Sequence, residues 1–237
     1  MLQSIGLGAL AVAMGPAIAR AMPSRWPAPA ARVPPPSGVL TTLPGPGNQL
    51  ALTIDDGASV AVVSAFADFL RDTGARLTFF VNGANSSWTV NAPALRPMVD
   101  SGQVQVGNHT WSHPYLTRLG VDAVADQIRR NMDFLRDTYG VDGTPYFRPP
   151  YGLHNATTDR VAADLGYSTI TLWSGTIGDS RVINEATLVA YAAQSFLPEQ
   201  IILGHANLPP ITHVFGQLMD IVTSRGLELV TLNDVFS

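Results

Sequence analysis

The chain has no cysteine. Disulfides and thiolate zinc sites are therefore excluded, and no thiol can act as a nucleophile; the compartment stays undecided, since exported bacterial proteins often lack cysteine. Lysine is missing too: all 14 cations are arginines, set against 18 acidic residues for a net charge of −4. Every acidic residue lies beyond position 48, and so do all arginines except Arg20, Arg25 and Arg32. An acidic, lysine-free body speaks against a nucleic-acid partner, whose phosphates demand cationic surface, and suits a neutral or cationic polymer better. There is no Gly-x-Gly-x-x-Gly after the first predicted strand, so a dinucleotide-binding fold has no support. Charged residues are only 14% of the chain and apolar ones 46%, the balance of a chain that folds.

Residues 2–19 are an apolar run of small residues ending in Ala17-Ile18-Ala19, the pattern of an export signal with its cleavage site. Its Gly and Ala content and Pro16 suit a membrane-spanning helix poorly. The usual positive charge is missing from Met1-Leu2-Gln3, and the low hydrophobicity resembles the apolar part of a twin-arginine signal. Residues 1–22 are thus expected to be an export signal whose arginine pair lies upstream. Residues 23–47, with Pro34-Pro35-Pro36 and Pro44-Gly45-Pro46-Gly47, read as an extended spacer that buries little. Residues 48–237 are then a single domain, expected to be secreted or held at the cell envelope as a monomer without a stable membrane span.

Beyond residue 48 short apolar runs alternate with amphipathic stretches. Strands are predicted at 50–54, 77–81, 104–106, 145–148, 168–172, 200–203 and 227–231. Helices are predicted at 60–73, 93–101, 122–139, 155–165, 185–196 and 211–225, most of them followed by a capping glycine. Strands alternating with helices require a parallel sheet, either open or closed as a barrel, and periodicity does not choose between the two.

In such sheets function gathers at the carboxyl ends of the strands. There stand Asp55-Asp56-Gly57, Asn108 to His113, Arg148-Pro149-Pro150-Tyr151-Gly152, Trp173 to Asp179, and Gly204-His205. Each piece has a plain reading. Asp-Asp-Gly is often only a turn, two prolines before Tyr-Gly make a rigid bend, and a lone histidine is most often a satisfied core residue, the reading kept for His154 and His213. His109 and His113 are spaced i, i+4, which on a helical turn brings both imidazoles to one face and one ion. A zinc-protease signature would need glutamate where Thr110 stands. The plain readings leave unexplained why five polar strand ends share one rim. Together they suit metal-assisted hydrolysis of an amide or ester. Asp56, His109 and His113 would hold a divalent metal with one position open, zinc first, cobalt or nickel as alternatives. Asp55 would be the general base, Arg148 would keep it ionised, and His205 would protonate the leaving group. The backbone N–H of Tyr151 would bind the oxyanion.

At this point the residues resemble the polysaccharide deacetylase family, also called the NodB-homology domain or carbohydrate esterase family 4. Thr53-Ile54-Asp55-Asp56-Gly57 is similar to its Thr-Phe-Asp-Asp-Gly motif, and His109-Thr110-Trp111-Ser112-His113 matches its His-x-x-x-His. Arg148 to Gly152 matches the third motif and Leu203-Gly204-His205 the last, in the family's order. The resemblance implies an α/β fold, a distorted (β/α) barrel of the seven-unit type, with a divalent metal, commonly zinc. It implies removal of N- or O-acetyl groups from an acetylated glycan of chitin-like, peptidoglycan or xylan type. By the same matching Asp55 is the base, Asp56, His109 and His113 the metal ligands, Arg148 the partner of the base, Tyr151 the oxyanion amide and His205 the acid. The fourth motif departs: where the family shows Trp-x-x-Asp-x-x-Asp-Trp, the chain reads Trp173-Ser174-Gly175-Thr176-Ile177-Gly178-Asp179-Ser180. Thr176 replaces an acid and Ser180 an aromatic, and Ala58 stands where the first motif has proline. That leaves Trp173 to wall the substrate and Asp179 to tune His205; an unpaired imidazole would be a poorer acid at neutral pH. Two other readings stay open: a hydrolase of the same fold acting on a small amide or other acyl group, and a glycan-binding relative disabled at the fourth motif.

Overall fold

The computed structural model describes residues 32–237, so the expected export signal at 1–22 and the first part of the spacer lie outside it. The chain runs β1 (Gly38–Leu40), β2 (Gln49–Asp56), α1 (Val60–Thr73), β3 (Leu77–Val81), α2 (Ser86–Val90), α3 (Ala92–Asp100) and β4 (Val104–Asn108). It continues through α4 (Val121–Tyr139), β5 (Tyr146–Phe147), α5 (Ala156–Asp164), β6 (Thr169–Thr171), β7 (Gly175–Thr176) and α6 (Glu185–Ser195). β8 (Ile201–His205), α7 (Phe215–Ser224), β9 (Glu228–Leu229) and α8 (Leu232–Val235) complete it. The strands pair in parallel in the order β1-β6-β5-β4-β3-β2-β8-β7, with β9 beside the start of β2. The sheet curls into a half-barrel with helices around it, a single α/β domain. Among the described residues no helix is long and apolar enough to cross a membrane.

Alternation along the strands sorts the side chains. Leu50, Leu52 and Ile54 of β2 pack with Val63, Phe66 and Leu70 of α1, in one cluster with Leu77 and Phe79 of β3. The opposite face of β2 carries Ala51, Thr53 and Asp55, and that of β3 carries Phe80, so the pleat alone turns Asp55 into the curl. Helix α1 starts where Ser59 accepts a hydrogen bond from the Val62 N–H and stops at left-handed Gly74. A third cluster, Val124 and Ile128 of α4 with Val161 of α5, covers Phe147 and Ile170.

Three expectations change. The stretch expected to be spacer through residue 47 supplies β1, which pairs with β6, and buries Leu40 and Leu43, because its Gly-Val-Leu segment is apolar enough to extend a parallel edge. Residues 211–225 do not make one helix: Pro209 and Pro210 favour a 3-10 turn over Pro209–His213 before α7 begins. His109 and His113 stand on a loop rather than a helical turn, and the left-handed backbone of Thr110 (φ 72°) and His113 (φ 60°) brings their rings together.

Behind that loop lies a buried knot of asparagines. Asn131 of α4, fully buried, donates to the carbonyl of Val81 (2.8 Å) and to Asn108 Oδ1 (2.9 Å) and accepts from the Gly83 N–H (2.7 Å). Asn108 in turn donates to Ile128 O and Tyr167 Oη and accepts from the Thr110 N–H. One side chain thus ties the ends of β3 and β4 to the helix behind them. Asn131→Ala leaves the buried Gly83 N–H without its acceptor and takes one of two donors from both Val81 O and Asn108 Oδ1, and a buried unpaired polar group costs about 1–3 kcal/mol. Urea unfolding should show a loss of about 2–4 kcal/mol. A loss below about 0.5 kcal/mol would show that water replaces these bonds.

Candidate metal centre and active site

Five strand ends deliver the site. Asp55, one residue from the end of β2, is in register with His205 at the end of β8. Asp56 follows with φ 70°, and this left-handed turn swings its carboxylate to the same rim as its neighbour. Aspartate tolerates that region better than most residues. The Asp56 carbonyl is held by Asn85 Nδ2 (2.9 Å) and Trp88 Nε1 (2.8 Å). Gly57 must be glycine, since a Cβ there would lie 2.4 Å from the Trp88 ring.

Asp56 Oδ1 faces His109 Nε2 at 3.3 Å and His113 Nε2 at 3.4 Å, and the donor atoms of the three residues all lie within 4.8 Å of one another. His109 Nδ1 contacts the Arg148 carbonyl at 2.6 Å, a bond that requires the proton on Nδ1 and leaves Nε2 with its lone pair in the neutral ring. Asp56 Oδ1 is buried with no hydrogen-bond partner, an oxygen aimed at two imidazoles with nothing to bond. A divalent cation satisfies all three groups, so the donor set fits one. The electrostatics agree. Burial alone would raise the Asp56 pKa, but the closeness and charge of His109, the charge of His113 and the Asn207 amide hold it well below the carboxylate range. Burial opposes a charge on His109, yet Asp55 and Asp56 outweigh it and draw a proton there, whereas burial and His109 push His113 down. A cation held by the triad would take the place of that proton.

Arg148 is fully buried beneath Asp55, and its NH1 donates to Asp55 Oδ1 at 2.7 Å and Thr53 Oγ1 at 2.8 Å. Its Nε and NH2 reach the carbonyls of Thr171 and Leu172, both at 3.0 Å. The second oxygen, Asp55 Oδ2, lies 3.5 Å from His109 Nε2, so Asp55 borders the centre without being locked into it. Across the strand His205 Nδ1 meets Asp179 Oδ1 at 2.8 Å, and Asp179 Oδ2 accepts the His205 N–H at 2.8 Å. Burial would lower the His205 pKa, but the hydrogen bond and charge of Asp179, helped by Asp55 and Asp56, push it up to about 9. The imidazole is therefore paired despite the altered fourth motif. Thr176 instead accepts the Gly178 N–H and pairs with Leu203 in the sheet.

Asp55, the metal triad, Tyr151, Trp173 and His205 line one cleft of about 340 Å³, with Ser180 at its edge. A larger groove, about 530 Å³, opens elsewhere between Val104 and Arg136, with no histidine in its lining. Tyr151 lies in a Pro150–Gly152 turn at φ 61°, and its N–H has no protein acceptor among the described residues. That conformation costs a non-glycine residue ~1–2 kcal/mol. Gly152 packs under Trp173, where a Cβ would come within 2.9 Å of the indole. His154 and His213 lie outside the cleft, paired with Asp159 and Glu185 nearer the surface than a core reading implies.

The sequence reading missed the residues that hold these groups. Asn207 donates to Asp56 Oδ2 at 2.7 Å and accepts the Ala58 N–H; its signal was its place two residues after His205 on the same strand end. Asn82 donates to the carbonyls of His109 and Thr110, and Gln127 holds the Trp111 and Ser112 N–H groups through its carbonyl and side chain. These are polar residues in helices or loops, with no spacing to mark them.

Comparison with known proteins agrees with this geometry. The model of the family described as polysaccharide deacetylase matches residues 43–170. A protein of Geobacillus stearothermophilus, described as an uncharacterized 30.6 kDa protein, is 30% identical over 192 residues, which cover 79% of this chain and 70% of that one. Peptidoglycan-N-acetylglucosamine deacetylase of Listeria monocytogenes is 30% identical over 188 residues, 79% of this chain but only 39% of that protein. A family 4 carbohydrate esterase from Streptomyces lividans, solved with acetate, superimposes with a TM-score of 0.67 at 28% identity, covering 77% of this chain and 91% of that one. The chain, with its acidic pair, histidine pair and buried arginine at the strand ends of a half-barrel, belongs to the polysaccharide deacetylase family.

Proposed function

We propose that the protein is a metal-dependent hydrolase that removes acetyl groups from a polysaccharide outside the cytoplasm. The observation that carries this reading is the meeting of a metal-ready triad, an arginine-held carboxylate and a charged imidazole around one cleft. Relatives named as peptidoglycan deacetylases favour an envelope glycan as substrate, and the aspartate and two imidazoles of the triad suit zinc. A chitin deacetylase among the relatives keeps chitin-like chains in the substrate panel.

Asp56, His109 and His113 would hold the ion, which when bound polarises the acetyl carbonyl and lowers the pKa of water towards about 7. Asp55, oriented by Arg148, takes the proton of the attacking water. The Tyr151 N–H donates to the oxygen on which charge develops as the tetrahedral centre forms. His205, charged through Asp179, gives its proton to the departing sugar nitrogen or oxygen, and acetate is released. Trp173 walls one side of the sugar. Ser180, small and polar, leaves open the side where relatives of this pattern carry an aromatic.

Asp56→Ala should abolish zinc binding in a calorimetric titration. Asp55→Asn should keep zinc while acetate release from acetylated chito-oligomers, xylan or peptidoglycan fragments falls by about 10²–10⁴. Full activity in Asp55→Asn removes the base assignment.

The acid assignment has a sign. His205 is raised from its ordinary value of 6.5 to about 9, so its acid form is complete at neutral pH and is lost as pH rises through about 9. The alkaline limb of kcat should lie there, and Asp179→Asn should move it towards neutrality by about 1–3 pH units. An unmoved limb would exclude the His205–Asp179 pair as the acid.

A further inference from the structure

Tyr151 is held in a conformation that its own side chain disfavours. At φ 61° and ψ 8° it lies in the left-handed region, where Cβ crowds the backbone carbonyl of any residue but glycine. The flanking hydrogen bonds, Gly152 N–H to Pro149 O (3.0 Å) and Leu153 N–H to Pro150 O (3.1 Å), engage its neighbours and leave its own N–H free of protein acceptors among the described residues. A tyrosine relaxing to an ordinary turn would carry that N–H with it.

The ring opposes the relaxation. Tyr115 lies flat against it, with centroids 4.1 Å apart and planes at 10°, and His113 meets it edge-on at 4.5 Å. Tyr115 is fixed in turn. The Arg118 guanidinium covers its other face at 4.5 Å, the Arg118 N–H bonds its carbonyl at 3.0 Å, and the next residue, Leu116, is buried against Val124, Ile128 and Phe147. Stacked aromatics and a cation over a ring each add attraction beyond the area they cover. Although Tyr115 is 39% exposed, Tyr151 and Arg118 occupy both of its faces, so it offers no free face on which a sugar could stack.

We propose that Tyr115 is a positioning residue: its ring clamps that of Tyr151 and so keeps the strained Tyr151 N–H at the cleft where the oxyanion develops. The proposal rests on the functional reading above, in which that N–H is the oxyanion donor.

Tyr115→Ala and Tyr115→Phe test it with three measurements on each protein: acetate release from an acetylated chito-oligomer, zinc titration, and the coupling between the Tyr151 amide and α protons, which reports φ. Tyr115→Ala should shift the coupling and lower kcat by about 10- to 100-fold, short of the full loss of a donor. KM should stay within about twofold and zinc affinity should not change. Tyr115→Phe, which keeps the stack, should keep the coupling and most of kcat. Unchanged kcat and coupling in Tyr115→Ala overturn the proposal. A rise in KM alone, or a loss that phenylalanine does not restore, also overturns it, since either assigns Tyr115 to substrate contact. Absent acetate release in the wild type, with the coupling still shifting in Tyr115→Ala, overturns the deacetylase reading while upholding the clamp.

Discussion

The site depends on a charge buried where no water reaches it. Arg148 is fully buried, and taking an ion out of water costs several kcal/mol even after the protein relaxes. The structure offsets much of that cost: the guanidinium meets a carboxylate, a hydroxyl and two carbonyls and lies on the Phe80 ring at 4.1 Å. These partners come from β2, β3 and the end of β6. Its backbone is equally engaged, since its N–H bonds the Asn108 carbonyl and its own carbonyl fixes the tautomer of His109. One residue therefore orients Asp55 through its side chain and His109 through its main chain. Such a pair is weak evidence for stability, because an apolar replacement can pack as well. Its value is geometric: with Arg148 in place, the free oxygen of Asp55 has one direction left to face.

Two adjacent aspartates do different work because the backbone separates them. Asp55 obeys the pleat and enters the curl, where an arginine waits. Asp56, one residue on, would point the other way, but its left-handed turn returns its carboxylate to the rim, where two imidazoles and Asn207 wait. The same device recurs at Thr110, His113 and Tyr151, each left-handed and each at a strand end that serves the cleft. Strain of this kind persists only where the surroundings over-determine it. Here the surroundings are visible: Trp88 and Asn85 at Asp56, Asn82 and Asn108 at the histidine loop, the tyrosine stack at Tyr151.

Much of the site was legible in the sequence because strand ends are local signals. An apolar run that stops at Asp-Asp-Gly or Gly-His announces both the strand and its functional end, and the structure brings Asp55, Asp56, His109, His113, Arg148 and His205 together. What stayed hidden needed the third dimension. The histidine spacing fitted a helix as well as a loop, and only two positive φ angles separate them. Asp179 was the acid that the altered motif left to tune His205, but the contact itself is set by how β7 lies against β8. Asn131 reads as an ordinary polar position of an amphipathic helix, yet it is fully buried and ties two strand ends. β1 was missed because proline and glycine around it mask three strand residues.

The central strand has a consequence for how the molecule comes into being. β2 lies early in the chain, yet two of its three partners, β8 and β9, are made near the end. Contacts so far apart in sequence form slowly, since the loop between them must close before any bond repays it. A chain still being synthesised thus holds Asp55, Asp56, His109 and His113 long before it holds His205. The rim on which these residues stand is therefore complete only once β8 has closed against β2.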